Sequence, residues 1–456
     1  MSGIRSFRII VPLIVAGILI LLFLMWGYPA FFRDVEPAAD AQSEKPAVEK
    51  KSGAGKSADP KTQSNPQAPD VSEQGGAKNC PQSKNLPPLK PGQQAVELGT
   101  IKWKRDLDQA LAESRKTGKP VMLLFDEVPG CSGCVKYGQT VLANPIIRDA
   151  AENLFIPVFI NNRGDKTATQ ADKKAIRRFS EKNWDYPVIR FVNADAKDIV
   201  PRKQDLSKTA CATVISRMKQ ALEKQKRDIP GYLKSAALQA DAELGNLETA
   251  TFGMYCFWSG ERRLGRIKGV VFTRMGFIKK TGGANEVVLV GFDPRKISRE
   301  NLYKQALSSK GANRVIVKPA NSADKKLAKQ IFGKNVVATN NPFKYEKSQY
   351  SLRKARPGFY LLPQSETQAM LMNSYCKDYQ KIYSLLSPSQ KQLQVQMLML
   401  IDRDKKVVLK KLGAFLKKCK LNRYDFAQQA RYQNALKAQL KTITADLDKA
   451  NSVKSK

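Results

Sequence analysis

Cys131 and Cys134 stand two residues apart in CSGC. That spacing lets two thiols close a small ring and reopen it, which is the chemistry of dithiol–disulfide exchange. A helical segment follows the pair. Its N-terminal dipole favours a thiolate on the first cysteine, so Cys131 attacks and Cys134 resolves. A second stretch, MYCFWSGERRL at residues 254–264, sets Cys256 before two large aromatics and a charged segment that looks helical. Two readings are open for Cys256 at this level. It is an activated nucleophile between a strand and a helix start, or a small core residue beside core aromatics.

Histidine is absent from the chain. That excludes Ser-His-Asp and Cys-His nucleophile arrangements and every His-liganded metal site. Acid–base work falls to Glu, Asp, Lys, Tyr or Cys. A lone CxxC is half a zinc site at most, and the chain holds no second one to complete it, so neither a metal nor a cofactor is expected. The 7 cysteines are few for a disulfide scaffold of 456 residues, and the odd number suits redox work.

The elements that must position these thiols follow from hydrophobic pattern. Residues 107–116 have helix spacing and stop at Gly118. Residues 119–125, KPVMLLF, suit a buried strand, as do 154–160 and 186–192, with basic helical segments between them. Strands alternating with helices argue for α/β layering. Strand-like runs recur at 249–255 and 286–292, the second leading into DPRKISRENLYKQAL, which starts like a helix. After Pro363 the chain reads as helical. Leu409, Leu412, Leu416 and Cys419 form one apolar stripe, and Leu436, Leu440, Ile443 and Leu447 another.

The N-terminus is different. Residues 9–27 are uncharged and almost all apolar, long enough to span a bilayer, with Arg5 and Arg8 before them. An uncleaved anchor with the bulk of the chain outside the cytoplasm is expected. Residues 33–95, rich in Pro, Ala, Gly, Ser, Gln and Lys, read as a disordered tether carrying Cys80. Lys and Arg number 78 against 41 Asp and Glu, so acidic surfaces should attract the chain. No aromatic-interleaved basic motif or nucleic-acid fold signature is present, and nucleic acid is not an expected partner.

The stretch IKWKRDLDQALAESRKTGKPVMLLF followed by CSGC resembles thioredoxin-like domains over about residues 101–227. Pro187, in DYPVI, sits where that family places a cis-proline beside the active disulfide, shaping the groove for a partner's strand. Two departures stand out: the apolar strand is read as lacking the family's buried acid, and VPG replaces the Trp-containing approach to the cysteines.

Residues 247–363 resemble the A-type peptide methionine sulfoxide reductases. GMYCFWSGERRLGRIKGVVFTRMGF matches their Gly-Cys-Phe-Trp-Gly turn and the strand after it. TGGANEVVLVGFDPRKISRENLYKQ and NVVATNNPFKYEKSQYSLRKARPGFY match later segments. The resemblance implies that Cys256 is the nucleophile, that Phe257 and Trp258 form the methyl pocket, and that Glu286 is the acid. It also implies that the spent Cys256 needs a reductant, and Cys376 is the candidate resolving thiol on a mobile tail. Cys419 and Cys211 are expected to be core. The family's glycine is Tyr255 here, Phe277 replaces a tyrosine, and Ala284 stands near the position of its histidine. The tyrosine that binds the sulfoxide oxygen is missing, with Tyr345, Tyr350 and Tyr360 as candidates to replace it.

The expected chain is therefore an α/β and α+β multidomain protein. A transmembrane anchor occupies residues 1–32, a linker 33–95, and a thioredoxin-like domain 96–228. A sulfoxide-reductase-like domain occupies 245–363, and a helical region 364–456. The expected function is a periplasmic, inner-membrane-anchored protein that reduces methionine sulfoxide in oxidised proteins and draws electrons from a membrane thiol donor. A second reading makes it a thiol-disulfide oxidoreductase whose reductase-like domain binds partners without catalysing.

Overall fold

In the first half, every residue of strand β1 (Val121–Asp126) is buried. A strand covered on both faces has no polar alternation, which is why the sequence shows a continuous apolar run. β2 (Ile156–Asn161) pairs parallel to β1 on one side, and β3 (Val188–Val192) antiparallel on the other. Single bridges extend this sheet on both edges: Lys104 to Val158, and Lys203 and Asp198 to β3. The helix Leu107–Thr117 begins at Asp106, whose carboxylate accepts from Gln109 N, and ends at Gly118 in the left-handed region. One apolar layer fills the face under this helix. A larger one on the other face takes in the helices Pro145–Leu154, Ala210–Lys224 and Gly231–Glu243.

The computed structural model describes residues 93–454 except 166, 183–185, 246 and 280–284. The expected anchor, nearly all of the linker, and Cys80 lie outside them. No described helix is long and apolar enough to cross a membrane.

The second half is built on a six-stranded sheet in the order β8-β7-β4-β6-β5-β9. Its strands are β4 (Glu248–Gly253), β5 (Val270–Phe277), β6 (Glu286–Phe292), β7 (Arg314–Val317), β8 (Val336–Ala338) and β9 (Lys344–Tyr345). β4 and β5 flank β6, both antiparallel to it. The helix Phe257–Leu264 leaves the end of β4 and packs on this sheet.

Residues beyond Pro363 form helices around a third apolar core, to which the expected stripe of Leu436, Leu440, Ile443 and Leu447 contributes. The other stripe is shifted: Val408 and Leu412 are buried, whereas Leu409, Leu416 and Cys419 are only partly covered.

Polar contacts fasten this helical region to the first half. Asp149 is buried, and its Oδ2 accepts from Ser387 Oγ (2.6 Å), Ser389 N (2.9 Å) and Ser389 Oγ (2.6 Å). Asn144 Nδ2 donates to the Phe426 carbonyl at 2.8 Å. Asp149 therefore carries the start of the helix Pro388–Arg403. Replacing it strands three buried donors, each lost bond costing on the order of 1 kcal/mol or more. Asp149→Ala should lower unfolding stability by about 2–4 kcal/mol, read from urea midpoints; an unchanged midpoint would show that the junction does not depend on this carboxylate.

Candidate active sites

Cys131 is the N-cap residue of the helix Ser132–Tyr137, and Cys134 lies within its first turn. Both are buried, and their sulfurs are 3.6 Å apart, in contact but longer than a disulfide bond. The approach loop is pinned from outside: Gly130 N donates to the buried Glu97 Oε1 at 2.8 Å. Gly138 ends the helix where a side chain cannot fit, since a Cβ there would meet the Val96 carbonyl oxygen at 2.1 Å. The Tyr186–Pro187 peptide is cis, as the resemblance implied, and Val128–Pro129 is also cis.

The expected lack of a buried acid is corrected. Asp126 ends β1 one residue past the apolar run and is fully buried. Its Oδ1 accepts from Glu127 N at 2.8 Å, while Oδ2 has no hydrogen-bond partner. Burial pushes its pKa up to about 8, against the opposing pull of the Cys134 thiol. Burial likewise raises Cys134, with Asp126 the next cause. The acid and the resolving thiol thus share one dry site: the thiol's hydrogen bond favours the charged acid, while the acid opposes ionisation of the thiol. Tyr186 borders the pair; its hydroxyl is raised by burial and by its hydrogen bond to Glu127.

The second site is built at the end of β4. Cys256, partly exposed, is the N-cap residue of the helix Phe257–Leu264. Glu286 begins β6, the neighbour of β4. Its Oε2 accepts from Phe257 N at 3.0 Å, so the carboxylate caps the helix that starts at the cysteine. The predicted nucleophile and acid are therefore adjacent. Gly260 allows this helix to sit down on Met254, whose sulfur would lie 1.5 Å from a Cβ at that position.

Aromatic rings form a wall beside the thiol. Phe257 is buried against Phe277, with ring centres 5.3 Å apart. Trp258 is 41% exposed and stacks on Tyr350 at 4.0 Å with planes 6° apart. Of the three candidate replacement tyrosines, Tyr350 alone stacks on this wall. Tyr345 lies exposed on β9, and Tyr360 packs on Arg423. Tyr255, beside the cysteine, is 91% exposed. Ala284 lies outside the described residues.

A buried acid that the sequence reading passed over supports this wall. Glu261 accepts from Gln349 N at 2.9 Å (Oε1) and from Asn373 Nδ2 at 3.1 Å (Oε2). Burial pushes it up to about 8, opposed by these bonds. The bond to Gln349 holds that residue in the left-handed region (φ 55°), which delivers Tyr350 to Trp258. Cys376, expected on a mobile tail, is instead buried in the helical core; the helices after the domain are packed, so there is no loose tail at this point. Cys211 is buried as expected, while Cys419 is only partly buried and borders a cavity.

Residues 102–194 match a family model described as thioredoxin-like. Peptide methionine sulfoxide reductase MsrA 1 of Synechocystis sp. is 42% identical over 71 residues, which cover 13% of this chain and 32% of that protein. MsrA of Rippkaea orientalis is 45% identical over 71 residues, covering 13% and 33%. The mitochondrial peptide methionine sulfoxide reductase of Bos taurus is 42% identical over 71 residues, covering 12% and 30%. The chain spans about a third of the length of these curated relatives. A solved structure titled DsbH oxidoreductase covers 31% of this chain and 94% of its own at 20% identity, with a TM-score of 0.24. The chain joins a thioredoxin-like domain to a segment similar to MsrA proteins.

Asp126 gives this domain a pH signature. Its raised pKa means that folding takes up a proton between about pH 4, its unfolded value, and about pH 8. The acid's contribution therefore becomes less favourable as pH rises through that window. Asp126→Asn removes the titration, so its stability relative to the unaltered protein should improve steadily from about pH 5 to about pH 8. Urea midpoints at several pH values measure this; parallel pH profiles for the two proteins would count against it.

Proposed function

We propose that this protein reduces methionine sulfoxide in oxidised proteins through Cys256 and is recycled by its own Cys131–Cys134 dithiol. The observation that carries the reading is the 3.0 Å bond from Phe257 N to Glu286 Oε2, which sets a carboxyl group beside the cysteine. The Cys256 thiolate attacks the sulfoxide sulfur. Glu286 gives a proton to the sulfoxide oxygen as the S–O bond to the substrate breaks. The new bond between the two sulfurs breaks as the protonated oxygen passes to Cys256, which leaves a sulfenic acid and releases the thioether. A thiol then displaces water from the sulfenic acid and forms a disulfide. Exchange with Cys131, resolved by Cys134, reduces Cys256 to the thiol and oxidises the dithiol to a Cys131–Cys134 disulfide. Phe257, Trp258 and Tyr350 supply an aromatic wall for the substrate methyl group.

Having both centres on one chain raises the effective concentration of reductant. The apolar run at residues 9–27, after Arg5 and Arg8, supports anchoring in a membrane with the bulk of the chain outside the cytoplasm. Electrons would then come from a membrane thiol donor.

The test is turnover of a methionine sulfoxide peptide by the full chain with dithiothreitol. Cys256→Ser should abolish it, and Glu286→Gln should lower kcat by about 10²–10⁴-fold, the usual range for a general acid. Absence of turnover, with Cys131–Cys134 still exchanging with a model disulfide, would favour the thiol-disulfide exchanger that uses the second domain for binding.

A further inference from the structure

A cavity of about 170 Å³ lies between β9 and the C-terminal helices. Tyr345, Tyr360, Tyr424, Leu416 and Leu421 contribute to its walls, and Arg423 and Cys419 border the same space. None of these residues belongs to the two thiol sites described above.

Arg423 is only 8% exposed. Its guanidinium carbon lies 4.0 Å from the ring centre of Tyr360 and 4.6 Å from that of Tyr424. Nη2 donates to the Tyr424 hydroxyl at 2.5 Å, while Nε is buried without a hydrogen-bond partner. The neighbours that favour its charge are tyrosines (Tyr424, Tyr360 and Tyr432), and among the described residues no carboxylate pairs with it. Burial works against the charge of a guanidinium, and the surrounding tyrosines outweigh it, yet Nε is left with an unused donor. The backbone keeps Arg423 in place regardless: Gln364 N donates to its carbonyl at 3.2 Å.

We propose that this cavity binds a small monocarboxylate, with its oxygens on Arg423 and its short apolar tail against Leu416 and Leu421. One fixed positive charge among neutral hydroxyls suits a monoanion better than a phosphate dianion. The planar guanidinium matches the planar carboxylate. The proposal does not depend on Cys256 chemistry.

Cys419 borders the cavity and is partly exposed, so the proposal predicts that a bound ligand shields its sulfur. The experiment follows alkylation of Cys419 in the full chain by neutral iodoacetamide, quantified by peptide mass spectrometry at constant ionic strength. Propionate at ten times its Kd should slow the reaction about tenfold by mass action. Propionamide should leave the rate unchanged, and Arg423→Gln should lose the protection while Arg423→Lys keeps part of it. Should Arg423→Gln fail to fold, the propionate and propionamide arms decide alone. A free acid and a peptide C-terminus share this chemistry: stronger protection by acetyl-alanyl-alanine than by propionate assigns the site to a peptide, and the reverse to a free acid. Equal protection by propionamide, better protection by phosphate, or no effect of any carboxylate up to about 100 mM, a hundred times a millimolar Kd, would overturn the proposal.

Discussion

A carboxylate with no path to water organises the second half of this molecule. Glu261 joins three separate pieces of chain: its own helix, the turn at Gln349, and the helix that carries Asn373. A buried acid must be satisfied by donors, and the donors must come to it. That requirement fixes Gln349 in an unusual backbone conformation and sets Tyr350 on Trp258. It reaches further, because the Gln349 side chain accepts from the Tyr424 hydroxyl at 2.8 Å, and Tyr424 in turn holds Arg423. The aromatic wall beside Cys256 and the back of the tyrosine-lined cavity therefore share one anchor.

Three buried acids follow the same physics to different ends. Asp149 is met by three donors on one oxygen and serves as a clamp. Glu261 is met by donors on both oxygens and serves as a hub. Asp126 keeps one oxygen without a hydrogen-bond partner and lies against a thiol whose ionisation it opposes. The acid whose hydrogen bonds are incomplete is the one placed at redox chemistry, where a group able to take and return a proton is useful.

How much of this could be read from the chain depended on whether a residue's environment is local. The buried strands β1 to β3 were legible because a strand covered on both faces needs a continuous apolar run. The helix at Leu107–Thr117 was legible because Asp106 and Gly118 mark its ends. Asp126 was missed because it stands where the apolar run gives way to EVPG, which reads as loop. Glu261 was missed because, within GERRL, a glutamate looks like part of a solvated helix face. What buries it comes from residues 88 and 112 positions away, and no local pattern reports that. The pairing of Cys256 with Glu286 was legible only through resemblance to a family, since β4 and β6 bring together residues 30 apart that share no motif of their own. The cavity around Arg423 assembles from β9 and the far helices and leaves no sequence signature at all.

Tyr255 stands almost wholly in solvent beside a thiol that is itself partly exposed. A large ring held out in water gains by meeting any apolar surface that covers it. Phe257 and Trp258 are already packed against other rings, so the unpacked apolar area next to the thiol belongs chiefly to Tyr255.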